Sequence, residues 1–141
     1  MSAATTRNIL LIGLAGNLEE PDYLKGRYGS GEEVAAKIRA DVGRAEGAGF
    51  RCTPFRIDPA SQAQRVRDLE ALLLQTQNQN GEEKEKFDAV MFGAGLRFYP
   101  AYSVLFETLV DVCRRHLPRE VPFLFNTGPD TIFENLQRAF A

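Results

Sequence analysis

NILLIGL, residues 8–14, is apolar apart from Asn8 and Gly13. A half-exposed strand alternates apolar and polar positions, whereas a strand covered on both faces reads as a near-continuous apolar run. This segment therefore predicts a buried strand of a parallel sheet. Similar runs return at 87–93 (FDAVMFG) and 121–126 (VPFLFN), with a more polar version at 51–58 (RCTPFRID). Four strands are expected, in the chain order 8–14, 51–58, 87–93 and 121–126.

The segments between them carry helical signals. Ser30 with Glu33, and Ser61 with Gln64, have the spacing of a capping box, and each precedes apolar residues at helical intervals. Val34, Ile38, Val42 and Ala45 form one stripe, and Val66, Leu69 and Leu73 a second. A third helix over 101–116 aligns Leu105, Leu109, Val112 and His116. A fourth, starting near Thr127 or Pro129, turns Ile132, Phe133, Leu136 and Phe140 inward.

Strands that alternate with helices are joined by right-handed crossovers into a parallel sheet with helices on both faces. The chain is thus expected to form one α/β domain over 1–141, a three-layer α/β/α sandwich whose four-stranded sheet has the order 2-1-3-4. Pro54 cannot donate to a central ladder, which places the second strand at an edge. The arrangement resembles the flavodoxin-like and half-Rossmann sandwiches. The fourth strand would lie at the other edge, and VPFLF is too apolar to be left open there. A homodimer through the fourth strand and fourth helix is the expectation.

Composition narrows the function classes. Of 141 residues, 44% are hydrophobic and 26% charged, as in ordinary globular proteins, and the formal net charge of −2 supplies no basic field for a nucleic acid backbone. No apolar run approaches the roughly 20 residues of a membrane span, and the leading MSAATTRN has no signal-peptide core. A soluble, cytoplasmic protein with no membrane partner is expected. Cys52 and Cys113 show neither CxxC nor Cys/His spacing, so no metal is expected and both thiols read as reduced core residues.

Ligands of open parallel sheets bind beyond the carboxyl ends of the strands, where the strand order reverses. For the order 2-1-3-4 that point lies between the first and third strands. The chain delivers Gly13 and Asn17 there from the first strand, Gly93, Gly95 and Arg97 from the third, and Asn126 and Thr127 from the fourth. Arg97 offers a forked donor for a carboxylate or phosphate, or else pairs with Asp130 or Asp58 across the rim. Gly93 and Gly95 either admit a ligand or supply positive φ for a turn. Asn126 can orient the ligand; Thr127 either joins it or caps the fourth helix, with Pro129 in the first turn. The long segment 15–29, with Tyr23, Arg27 and Tyr28, is a candidate lid, whereas the polar 75–86 reads as a mobile surface connection.

Several chemistries find no support. GLAGN after the first strand does not match G-x-G-x-x-G, and Glu32 and Glu33 at the start of the first helix would repel an anion. There is no Walker loop, no G-x-S-x-G elbow, and no acidic phosphoacceptor after the third strand. His116 belongs at the far end of its helix. The sequence favours binding of an anionic or carboxylate-bearing metabolite, with no cofactor and with any acid/base chemistry resting on Asp58, Asp130 or a tyrosine. The catalytic residues are not defined by sequence. A non-catalytic dimeric interaction domain is the alternative, and a degenerate flavin binder a third reading.

Overall fold

The structure, a computed structural model, describes residues 6–14, 29–77 and 86–141. It contains β1 (Arg7–Leu14), α1 (Gly31–Gly47), β2 (Phe50–Ile57), α2 (Gln62–Gln77), β3 (Ala89–Phe92), α3 (Ala94–Phe98), α4 (Ser103–His116), β4 (Phe123–Phe125) and α5 (Ile132–Ala139). The four strands form one all-parallel sheet in the order β2-β1-β3-β4. Helices flank the sheet, giving the three-layer α/β fold and strand order read from the apolar runs.

Strand periodicity divides the core in two. Leu10, Ile12, Phe55, Ile57, Val90 and Phe92 point to the face covered by α2 and α4, where Leu69, Leu73, Leu105, Leu109 and Val112 meet them. Ile9, Ala89, Met91 and Leu124 point to the other face, against Ala45 of α1 and Ile132 and Leu136 of α5. The second cluster is smaller: among the described residues, α1 and the short α5 cover that face. This asymmetry leaves room for a cleft.

The helix boundaries show which local signals prevailed. Ser30 caps α1 through a complete capping box: Glu33 N–H donates to Ser30 Oγ at 3.2 Å and the Glu33 carboxylate accepts from the Ser30 backbone. The box expected at Ser61 does not form. Pro59 starts a 3₁₀ turn (Pro59–Ser61) that Asp58 caps instead, its Oδ1 accepting from Ala60 N–H at 2.9 Å. α2 runs to Gln77, three residues into the expected surface connection at 75–86, of which 78–85 lie outside the described residues.

The third crossover is more helical than its glycines imply. Residues 94–98 form α3 and Pro100–Tyr102 a 3₁₀ turn, so the helix expected from 101 begins at Ser103. Gly93 precedes α3 with φ of −67°, so positive φ is not what glycine provides there. Space is the requirement: a Cβ on Gly93 would sit 3.3 Å from Ile12 O and 3.4 Å from Gly13 Cα. At this point β1 and β3 are drawn together by a 2.7 Å bond from Gly93 N–H to Ile12 O.

The last helix starts later than expected. Thr127 is exposed and is not its N-cap; Thr131 occupies that position. The Thr131 hydroxyl turns back to accept from the N–H groups of Thr127 and Gly128, closing the Gly128-Pro129 turn. The cap of α5 comes from another helix. Asp41 of α1, only 1% exposed, accepts from Phe133 N–H at 2.9 Å and pairs with Arg44. A carboxylate at a helix N-terminus satisfies an orphan donor and complements the helix dipole.

Candidate functional site

Register builds the site. β1 pairs with β2 so that Leu11 lies beside Pro54 and Gly13 beside Arg56. β1 pairs Leu11 with Met91, and β3 pairs Met91 with Leu124. Pro54, Leu11, Met91 and Leu124 therefore form one row across the sheet. Two residues further on, Arg56 pairs with Gly13, and continuing the register one step past Phe92 and Phe125 brings Gly93 and Asn126 into a last row on the same face.

That last row has side chains only at its ends. Its two central positions are glycines, and among the described residues a Cβ built on Gly13 meets no atom within 4 Å. The result is a cleft of about 70 Å³ at the carboxyl end of the sheet. Leu11, Met91 and Pro54 lie at its base, Ile38 of α1 and Ile132 of α5 wall it, and Arg56 and Asn126 stand at opposite ends. It occupies the crevice between β1 and β3 where the strand order reverses.

Asn126 is the most telling residue. It is 6% exposed, yet its buried Oδ1 has no hydrogen-bond partner among the described residues. Leaving such an acceptor unsatisfied costs about 1–3 kcal/mol, so this carboxamide is ready for a donor that the described fold does not supply. Its backbone, by contrast, is firmly held: the Asn126 carbonyl accepts from Arg97 Nη2 at 2.7 Å.

Arg97 does not line the cleft. Its guanidinium stacks over Phe98 at 4.5 Å and Phe125 at 5.4 Å, and reaches Asn126 rather than Asp58 or Asp130. It thereby ties α3 to the end of β4, with its Nε buried and without a partner. Arg97 positions Asn126, one step behind the cleft. Gly93 lines the cleft, Gly95 lies within α3, and Thr127 is exposed with its N–H bonded to Thr131. Asn17 and the candidate lid residues Tyr23, Arg27 and Tyr28 lie outside the described residues.

None of the acid/base candidates among the described residues lines the cleft. Asp58 caps the turn before α2, Asp130 is exposed, and Tyr99 and Tyr102 pack edge to face with centroids 5.0 Å apart. His116 Nε2 lies 2.7 Å from Glu70 Oε2, joining α4 to α2 away from the cleft. Burial pushes the thiols of both Cys52 and Cys113 up to about 12, with the carboxylates of Glu46 and Asp41 adding to the rise at Cys52. Among the described residues no group of three or more His, Cys, Asp or Glu is placed to hold a metal, and no helix is long and apolar enough to cross a membrane.

Arg56 escaped notice in the sequence because nothing in RCTPFRID distinguishes it from Arg51. Only its register opposite Gly13 places it at the cleft. Fold and site together define a parallel α/β domain with a glycine-floored cleft at the carboxyl edge of its sheet. No protein-family model, curated protein or solved structure matches the chain.

Proposed function

We propose that this protein binds a small metabolite in the cleft between the ends of β1 and β3. The observation that carries this reading is the buried Asn126 Oδ1, without a partner among the described residues, at the end of a row whose middle is emptied of side chains by Gly13 and Gly93. A sheet end that served packing alone would be filled. Here the described residues leave space and an unanswered acceptor at the place where open parallel sheets bind their ligands. Binding, rather than catalysis, is the reading we favour, since Asp58, Asp130, Tyr99 and Tyr102 are not among the residues lining the cleft.

Native mass spectrometry before and after unfolding tests this reading. The purified protein is expected to carry a small molecule that is released on unfolding. Gly13→Val adds a side chain that strand geometry accommodates and that projects into the cleft; it is expected to fold and arrive empty. A variant that folds and carries the same molecule in the same amount would refute the cleft as the site.

A second reading has its own observation. β4 is an edge strand, Phe125 at its end is 39% exposed, and Val104 near the start of α4 is 74% exposed. An interaction domain that pairs with a second copy through β4 would cover this edge. Light scattering coupled to size exclusion separates the cases, because a monomer at micromolar concentration removes the pairing reading and leaves the cleft untouched.

A further inference from the structure

Resting on the cleft as a binding site, we infer that its ligand is a short amphiphilic anion: a carboxylate or similar group held by Arg56, a small apolar body over the glycine row, and a hydrogen-bond donor directed to Asn126 Oδ1. The two polar ends of the row differ in what they offer. Asn126 presents a buried acceptor, which calls for a ligand N–H or O–H. Arg56 presents only donors, fixed in a planar fork that matches a carboxylate.

Arg56 is otherwise uncommitted. Among the described residues no carboxylate pairs with it, whereas Arg44, Arg65 and Arg115 each pair with an acidic side chain. Its backbone is anchored, its carbonyl accepting from Arg65 Nε at 3.0 Å. The start of α1 does not compete for the anion, because Ser30 and Glu33 already satisfy it and Glu32 and Glu33 bring negative charge. Of the described residues lining the cleft, Arg56 alone carries a charge.

Size follows from spacing. Arg56 and Asn126 stand three strands apart, about 14 Å between backbones at the usual strand separation, and the long Arg56 side chain closes part of that span. The 70 Å³ between them is about half of the roughly 150 Å³ that houses a benzene ring in an apolar cavity. A body of a few carbons fits, with the anionic group beyond it against the exposed Arg56. Leu11, Leu14, Ile38, Met91 and Ile132 make its surroundings apolar, so the body carries no further charge.

Calorimetry with three probes tests the inference: ω-hydroxypentanoate, its neutral amide, and pentanoate, which lacks the terminal donor. The hydroxy acid is expected to bind the wild-type protein best, with the amide and pentanoate each about tenfold weaker, the effect of losing one well-made polar contact. Arg56→Gln should erase the difference between acid and amide, and Asn126→Leu the difference between hydroxy acid and pentanoate. If acid and amide bind equally well to the wild type, or the gap survives in Arg56→Gln, the anionic class is overturned while the cleft stands. If none of the probes binds and Gly13→Val leaves any co-purified molecule in place, the cleft reading falls as well.

Discussion

At the scale of single residues, the site is marked by what its side chains lack. Asn126 keeps a buried carboxamide oxygen without a partner among the described residues, at a cost to stability, while its backbone carbonyl is gripped by Arg97. Asn126→Leu should therefore leave the melting temperature unchanged or raise it, while binding in the cleft is lost; a drop of several degrees would show that the carboxamide serves the fold. Arg97→Ala should behave differently. It removes a charge-assisted bond and two aromatic contacts, and is expected to cost about 1–3 kcal/mol as well as loosening Asn126. Urea unfolding compared across the two variants checks both outcomes. The thiols set a pH limit on stability. Their folded-state ionisation is pushed to about 12 from an ordinary 9.0, so the unfolded chain releases its thiol protons first as pH rises. This contribution is fully present below pH about 9 and is lost progressively toward pH about 12, a fall that denaturant midpoints across that window should follow. Replacing both cysteines with alanine should flatten it.

Elements follow local signals wherever a local partner exists and depart from them where a distant one intervenes. The buried strands were legible in their apolar runs, and the start of α1 in Ser30 and Glu33, because three residues suffice to make a capping box. The start of α5 was not legible, because its cap is Asp41, 92 positions before Phe133, and only packing of α1 on α5 brings them together. The same holds for the site. Gly93 and Asn126 could be placed from chain order alone, whereas Arg56 needs the pairing register, and the bond from Arg97 to the Asn126 carbonyl shows only once the end of β4 is seen beside it. Asp41 also bears on the cleft, since the helix it caps carries Ile132 in one wall. Asp41→Ala is expected to destabilise the protein by about 1–3 kcal/mol, because it leaves the half-buried Phe133 N–H without its acceptor. Hydrogen exchange should quicken first in α5. Uniform acceleration across the sheet would mean that the cap acts on the whole fold instead.

The whole molecule is an asymmetric sandwich. Among the described residues, one face of the sheet is sealed by two long helices over a large aromatic and aliphatic core, and the other is covered by α1 and a helix of eight residues. The thinner face holds the cleft, and the strand order that parts the crossovers opens it between β1 and β3. The larger core and the proposed binding cleft thus lie on opposite faces. The measurement that tests this most directly is an amide NMR titration with ω-hydroxypentanoate, followed residue by residue. Saturable shifts centred on Gly13, Arg56, Gly93 and Asn126, with Glu70 and His116 unmoved, are the predicted result. Shifts centred instead on Phe106 and Phe125 at the β4 edge, or none in the last row of the sheet, would contradict it.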